Sequence, residues 1–150
     1  MCIRDRADAD QVEQAAERAR LLDDVRGFPQ GFATVVGERG ITLSGGQRQR
    51  TALGRALLVS APVLVLDDAL ASVDNNTAAG ILESIRSTDG RTIVMISHQL
   101  SAAAACDRIL VIEQGTLVQQ GHHNDLVGID GPYKRLWERE QASERLEAVA

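Results

Sequence analysis

Apolar positions along the chain fall into two rhythms, one of period 3.6 and one of short unbroken runs, and they alternate. From Asp10 onward, Val12, Ala15, Ala16, Ala19 and Leu22 share one side of a helical period, with Asp10 and Glu13 at capping-box spacing. Gly27, Pro29, Gly31 and Gly37 then break the chain into loop. The helical period returns from Arg48 to Val59, where Ala52, Leu53, Ala56 and Leu57 form a stripe and Arg48, Arg50 and Arg55 lie elsewhere. Val63-Leu64-Val65-Leu66 shows no alternation and predicts a strand buried on both faces. Asp74 then caps a helix with Ala78, Ile81, Leu82 and Ile85 on one face; Gly80 is its weak point and Gly90 stops it. Thr92 to Ile96 and Arg108 to Ile112 predict two further buried strands, separated by an alanine-rich helix from Ser101 to Cys106. Glu113-Gln114-Gly115 turns the chain into Thr116 to Gln119 as a hairpin. Pro132 opens a charged last helix with Leu136, Trp137, Leu146 and Val149 at helical spacing, whereas Met1 to Arg6 has no period and reads as a ragged or non-native start. This order of strands and helices predicts an α/β fold on a parallel sheet with right-handed crossovers.

Candidate chemistry sits where these elements meet. Leu43-Ser44-Gly45-Gly46-Gln47 feeds the helix that starts near Arg48. A helix N-terminus leaves N–H groups unpaired and partly positive, and two glycines let an anion approach the backbone, so phosphate is the natural guest. The simpler alternative is a Ser N-cap with glycines serving only the turn. The Val63 strand ends in Asp67-Asp68, two carboxylates at the edge where α/β sheets hold ligands, an arrangement that suits a magnesium nucleotide. Ser72-Val73-Asp74 follows, and Ser97-His98 ends the next strand.

Composition narrows the setting. With 150 residues, 44% of them hydrophobic, the chain is long enough for one domain with a core. Its apolar runs fall short of the ~18 residues of a membrane helix, and no charged-then-apolar leader is present, so a soluble cytoplasmic piece is expected. Cys2 and Cys106 have no metal or disulfide spacing, which suits a reducing compartment. A net charge of -5 argues against a nucleic-acid partner.

Taken in order, LSGGQRQR, VLVLDD, SVD and SH resemble the ATP-binding-cassette (ABC) ATPases, most closely those of ABC exporters, from about Val12 to Trp137. The resemblance implies ATP and Mg2+ as cofactors. Asp67 matches the Walker B aspartate that holds magnesium, usually through water; its alternative is to cap the next turn. His98 matches the switch histidine at the γ-phosphate; alone it would read as structural. Ser44, Gly45 and Gly46 resemble the signature that closes over ATP on the opposite subunit, with Gln47 setting that loop. Asp74 resembles the D-loop aspartate and can also be a helix cap. Glu38-Arg39-Gly40 occupies the place that lies near the intracellular loops of the transmembrane domain.

The family's fold, a P-loop NTPase core, also needs a Gly-x-x-x-x-Gly-Lys-Ser/Thr loop, and none occurs in this sequence. The chain therefore reads as a truncated ABC ATPase fold. It has part of the helical subdomain with the signature (7–60), the C-terminal part of the core (61–131) and a C-terminal helix (132–150), but not the phosphate-loop strand. In the family that strand lies between those of Thr92 to Ile96 and Arg108 to Ile112. Val63 to Leu66 should then pair in parallel with Thr92 to Ile96, while Ile109 to Ile112 has no direct ladder to Thr92 to Ile96, and apolar faces and edges stay open.

Asp68 departs from the family, which usually has Glu there to polarise the attacking water. The shorter side chain has about 1.5 Å less reach. ATP should bind at this Walker B and be hydrolysed slowly, as in the degenerate half of a heterodimeric exporter. The implied partners are a second nucleotide-binding domain, in a heterodimer, and the transmembrane domain, at the cytoplasmic side of the plasma membrane. The alternatives are a non-catalytic regulatory half, or an ABC ATPase of DNA repair. His122-His123 invites a metal reading but brings no further ligand nearby, and Tyr133 and Trp137 fit a packing face better than a base-stacking platform.

Overall fold

A computed structural model describes residues 7–37, 41–87 and 90–147, which divide into two units, Met1–Ser97 and His98–Ala150. The Glu38-Arg39-Gly40 stretch, Val149 and the Met1 to Arg6 start lie outside the described residues.

The first unit begins with helix α1 (Ala9–Arg18). Its capping box is Asp8 with Gln11, not Asp10 with Glu13: the Gln11 N–H donates to Asp8 Oδ1 at 2.8 Å and the Asp8 N–H to Gln11 Oε1 at 3.2 Å. Either acid can cap, and the earlier one gains the Val12 N–H to Asp8 carbonyl bond of an extra turn. Ala15, Ala16 and Ala19 are buried as their spacing implies. Their small size lets helix α3 (Gly45–Leu57) come close through Gly54, where a Cβ would stand 3.6 Å from the Ala15 carbonyl oxygen. Between them lies α2 (Leu22–Gly27), anchored by buried Val25. Leu53 and Leu57 bury the stripe of α3, whereas Ala52 is exposed because Gly54 turns a different edge of the helix toward α1.

Strands β1 (Val63–Asp67) and β2 (Thr92–Ile96) pair in parallel from Val63 opposite Thr92 to Asp67 opposite Ile96, as expected. Helix α4 (Asn75–Arg86) connects them and buries Ala78, Ile81, Leu82 and Ile85, the face its periodicity implied. Gly80 lets the Arg20 side chain pack closely there: a Cβ at position 80 would stand 3.0 Å from Arg20 Nη2 and 3.1 Å from its Nε. The expectation that β1 and β2 are buried on both faces needs correction. Leu64 and Leu66 are buried, but Val63, Val65, Val94 and Ile96 are 49%, 61%, 46% and 51% exposed. An unbroken apolar run makes both faces fit for burial; what covers them is set by the layers packed alongside, and here one face stays open.

The second unit contains α5 (Leu100–Ala104), β3 (Ile109–Glu113), β4 (Thr116–Gly121), α6 (His123–Gly128) and α7 (Pro132–Glu147). The expected hairpin forms, antiparallel, with Gln114 and Gly115 both at positive φ, which a two-residue turn matched to strand twist requires. Among the described residues each sheet has two strands, β1 with β2 and β3 with β4. The third strand is buried only at Ile109; Leu110 and Ile112 face solvent. Tyr133, 1% exposed, packs with Ile109 and Leu126, flanked by Leu100, Val111 and Val127. Its hydroxyl bonds Nδ1 of His123 at 2.8 Å, and the His123 ring also meets Trp137 edge-on at 4.5 Å. His123 is thereby taken up in packing. Burial first, then the Glu140 carboxylate and Cys106, push the Tyr133 phenol up to about 12, so it stays protonated at neutral pH. The packing face of α7 runs through Tyr133 and Trp137, as expected, while Leu136 and Leu146, at helical spacing on the same element, are exposed. Among the described residues no helix is long and apolar enough to cross a membrane.

Candidate functional site

The site grows from the start of α3. Ser44 is its N-cap: Ser44 Oγ accepts from the Gln47 N–H at 3.2 Å, and Gln47 Oε1 accepts from the Ser44 N–H at 2.9 Å. Accepting that bond leaves the Ser44 hydroxyl hydrogen for another acceptor, and the N–H groups of Gly45 and Gly46 have no place in the helical ladder. The turn is at the surface, with Ser44 exposed and Gly45 to Gln47 half-buried. The Ser cap and an anion cradle are compatible in one turn.

Gln47 does more than cap. Its Nε2 donates to Asp24 Oδ1 at 2.9 Å, and the other Asp24 oxygen pairs with Arg50 Nη2 at 3.0 Å. Both charged side chains are largely shielded, 18% and 23% exposed, so neither is easily given up to water. Arg50 Nη1 also donates to the Arg20 carbonyl at 2.7 Å, and Arg48 Nη1 to that of Leu43 at 2.8 Å. The glycine turn is thus tied to α2 and to its own flank.

Asp67 ends β1 exposed at the carboxyl edge of the strand, and Asp68 follows with φ of 43°. Asp tolerates this left-handed conformation better than most residues because its short side chain bonds locally. The Asp68 N–H donates to the Ile96 carbonyl at 3.0 Å and its own carbonyl accepts from the Ala71 N–H at 3.1 Å. Buried Leu70 and Val73 then pin the loop, and Asp74 caps α4 by accepting from the Thr77 N–H at 2.9 Å. The loop and the glycine turn touch: a Cβ on Gly46 would meet the Ser72 carbonyl oxygen at 2.9 Å, and one on Gly45 would rest 3.6 Å from the Ser72 side chain. The first unit thus brings Ser44 to Gln47 together with the Asp68 to Asp74 loop. His98, the first residue of the second unit, is exposed and directly precedes Gln99, the N-cap of α5.

The bond from Thr77 holds the Asp74 carboxyl below the usual carboxylate range, its backbone N–H contributing most and the Thr77 side chain next. A carboxyl lowered on folding stabilises the fold at pH values above its unfolded value and loses that contribution as pH falls through the folded one. Asp74→Ala should therefore lower the melting temperature near neutrality, and the gap to the parent should close on acidification below the carboxylate range. Coincident melting curves at neutral pH would show the cap to be idle.

Sequence reasoning missed Asp24, Arg50 and Gln49 as parts of this site. Gln49 lies inside the LSGGQRQR run, one turn past the glycines, but its half-burial is visible only in the folded chain. The carboxylates of Asp67 and Asp68 are hard oxygen donors, the type that magnesium takes, so the residues present fit that ion.

The ABC transporter family matches over residues 1–71. ABC transporter B family member 6 of Dictyostelium discoideum is 44% identical over 138 residues, 91% of this chain and 20% of that protein. The ATM1-type heavy metal exporter of Novosphingobium aromaticivorans is 43% identical over 140 residues, 93% of this chain and 23% of that protein. A structure of a bacterial Atm1-family ABC exporter with ATP bound superposes with a TM-score of 0.86 at 42% identity, covering 92% of this chain and 24% of that one. The chain thus spans between a fifth and a quarter of the length of these relatives. The signature turn, the acid pair after a parallel strand and these likenesses together support an exporter-type ABC nucleotide-binding domain sequence.

Proposed function

We propose that the full-length protein binds and hydrolyses ATP at the interface of two nucleotide-binding domains and couples this to export through a transmembrane domain, from the cytoplasmic side of the membrane. The observation that carries the reading is the surface glycine turn at the start of α3, where helix geometry leaves the first N–H groups outside the ladder, lodged against the loop that leaves the acid pair. In this reading residues 7–60 belong to the helical subdomain, 61–131 to the ATPase core and 132–150 to a C-terminal helix. Ser44, Gly45 and Gly46 donate to a nucleotide held by the opposite subunit, Gln47 keeps their turn in place, and Asp74 reaches toward the subunit interface. Asp67 holds Mg2+ through water, and His98 acts beside the γ-phosphate. The ion supplies charge neutralisation for the phosphates.

A second reading, a degenerate half that binds ATP but turns it over slowly, draws support from Asp68, which stands where relatives of this type usually have Glu. In it the partner is a different nucleotide-binding domain, and this chain's signature turn serves the partner's competent site. ATP binding and turnover of the full-length protein, alone and with its partner domain, test both. Binding with fast turnover alone supports the first; binding with fast turnover only in the pair supports the second. Failure to bind ATP in the presence of Mg2+ overturns both.

A further inference from the structure

Gln49 is half-buried on α3, one turn past the glycines, and its amide is used at both ends by the loop after β1. Its Oε1 accepts from the Ser72 N–H at 2.8 Å, and its Nε2 donates to the Asp68 carbonyl at 3.4 Å. The same loop meets Gly46 through the Ser72 carbonyl oxygen. We infer that Gln49 is a positioning residue that fixes the register between the signature turn and the Asp68 to Asp74 loop of the same subunit, so that the two move as one piece. This rests on the proposed ATPase function of the site.

The physical case is one of geometry. A planar side-chain amide offers one acceptor and two donors at fixed angles, so satisfying two backbone groups four residues apart sets both the distance and the tilt of the loop against the helix. The segment bridged has no regular ladder of its own. Its internal bonds run from Ala71 to Asp68 and from Val73 to Leu70, leaving the Ser72 N–H to the Gln49 amide. In the proposed function the loop flanks the subunit's own nucleotide while the glycine turn serves the opposite one. The Gln49 bridge therefore ties the two ATP sites together inside one chain.

The test uses the full-length protein with its partner domain and three versions of position 49. Gln49→Met keeps length and bulk but removes both bonds; Gln49→Glu keeps the acceptor for the Ser72 N–H, the shorter bond. Expected is a fall in kcat for ATP of about tenfold in Gln49→Met, less than the cost of misplacing a reacting group outright, with KM changed less than about twofold. Gln49→Glu should recover part of the loss. Since neither variant touches nucleotide, ATP affinity should stay within about twofold of the parent. A Gln49→Met kcat within about twofold of the parent overturns the inference. So does a kcat loss that comes with an equal rise in KM and is not relieved by Gln49→Glu, the pattern of a general loss of structure. If Gln49→Met does not fold, Gln49→Glu alone decides it by the same split between kcat and KM. A parent that does not hydrolyse ATP fails the proposed function instead, which keeps the two failures apart.

Discussion

Gly46→Ala is expected to reduce ATP turnover of the full-length protein by about a hundredfold, the scale of a positional error of about 1 Å at a site that works by orientation. Two effects compete in its stability. Alanine gains at most the helix-interior value of about 1 kcal/mol of propensity over glycine, and less in the first turn of α3 where these glycines stand. Against this, its methyl group would stand 2.9 Å from the Ser72 carbonyl oxygen, closer than carbon and oxygen can pack. Overpacking of this kind costs about 1–3 kcal/mol when the neighbour is rigid. Here the neighbour is backbone, anchored by buried Leu70 and Val73 and held by the Gln49 amide, so relief must come from the glycine turn itself. Gly45→Ala separates the contributions: its methyl group would rest at an ordinary 3.6 Å from the Ser72 side chain, leaving the propensity gain unopposed. Melting of Gly46→Ala below Gly45→Ala is the expected order. If both variants melt alike, contact with Ser72 is not what the missing Cβ at position 46 protects.

How much of this was written in the sequence depends on whether the signal is local. The Asp74 cap, the hairpin after Glu113 and the buried face of α4 follow from short-range periodicity and turn chemistry, whereas the parallel pairing of Val63 to Leu66 with Thr92 to Ile96 was implied by the family resemblance; all are present. Capping at Asp8 rather than Asp10 was a choice between two acceptable local solutions, settled by an additional backbone bond. Burial of β1 and β2 was overread because composition reports what a face tolerates, whereas Val65 and Ile96 depend on a layer that sequence neighbours do not specify. The site divides the same way. Ser44, Gly45, Gly46, Asp67 and Asp68 announce themselves by spacing, but the Asp24, Gln47 and Arg50 cluster and the Gln49 bridge join residues about twenty positions apart. Only the folded chain makes such pairs neighbours.

Asp68→Glu should raise ATP turnover of the full-length pair by about tenfold or more, provided the slow site is the one built on this chain's own acid pair. The argument turns on whether the shorter carboxylate could creep forward to make up about 1.5 Å of reach. It has little freedom to do so. The Asp68 backbone is held at φ 43° by its N–H to the Ile96 carbonyl, by the Ala71 N–H and by the Gln49 amide, so lost side-chain length is not recovered by backbone shift. The opposing cost is conformational: glutamate is less at ease than aspartate in the left-handed region, a penalty bounded by about 1–2 kcal/mol. That penalty falls on fold stability and shows as a lower melting temperature. The extra reach acts on the reaction and shows in kcat, so one variant should be at once less stable and faster. Turnover that stays flat while the partner's catalytic Glu is intact would mean that Asp68 does not limit the reaction, and the degenerate-half reading would lose its support.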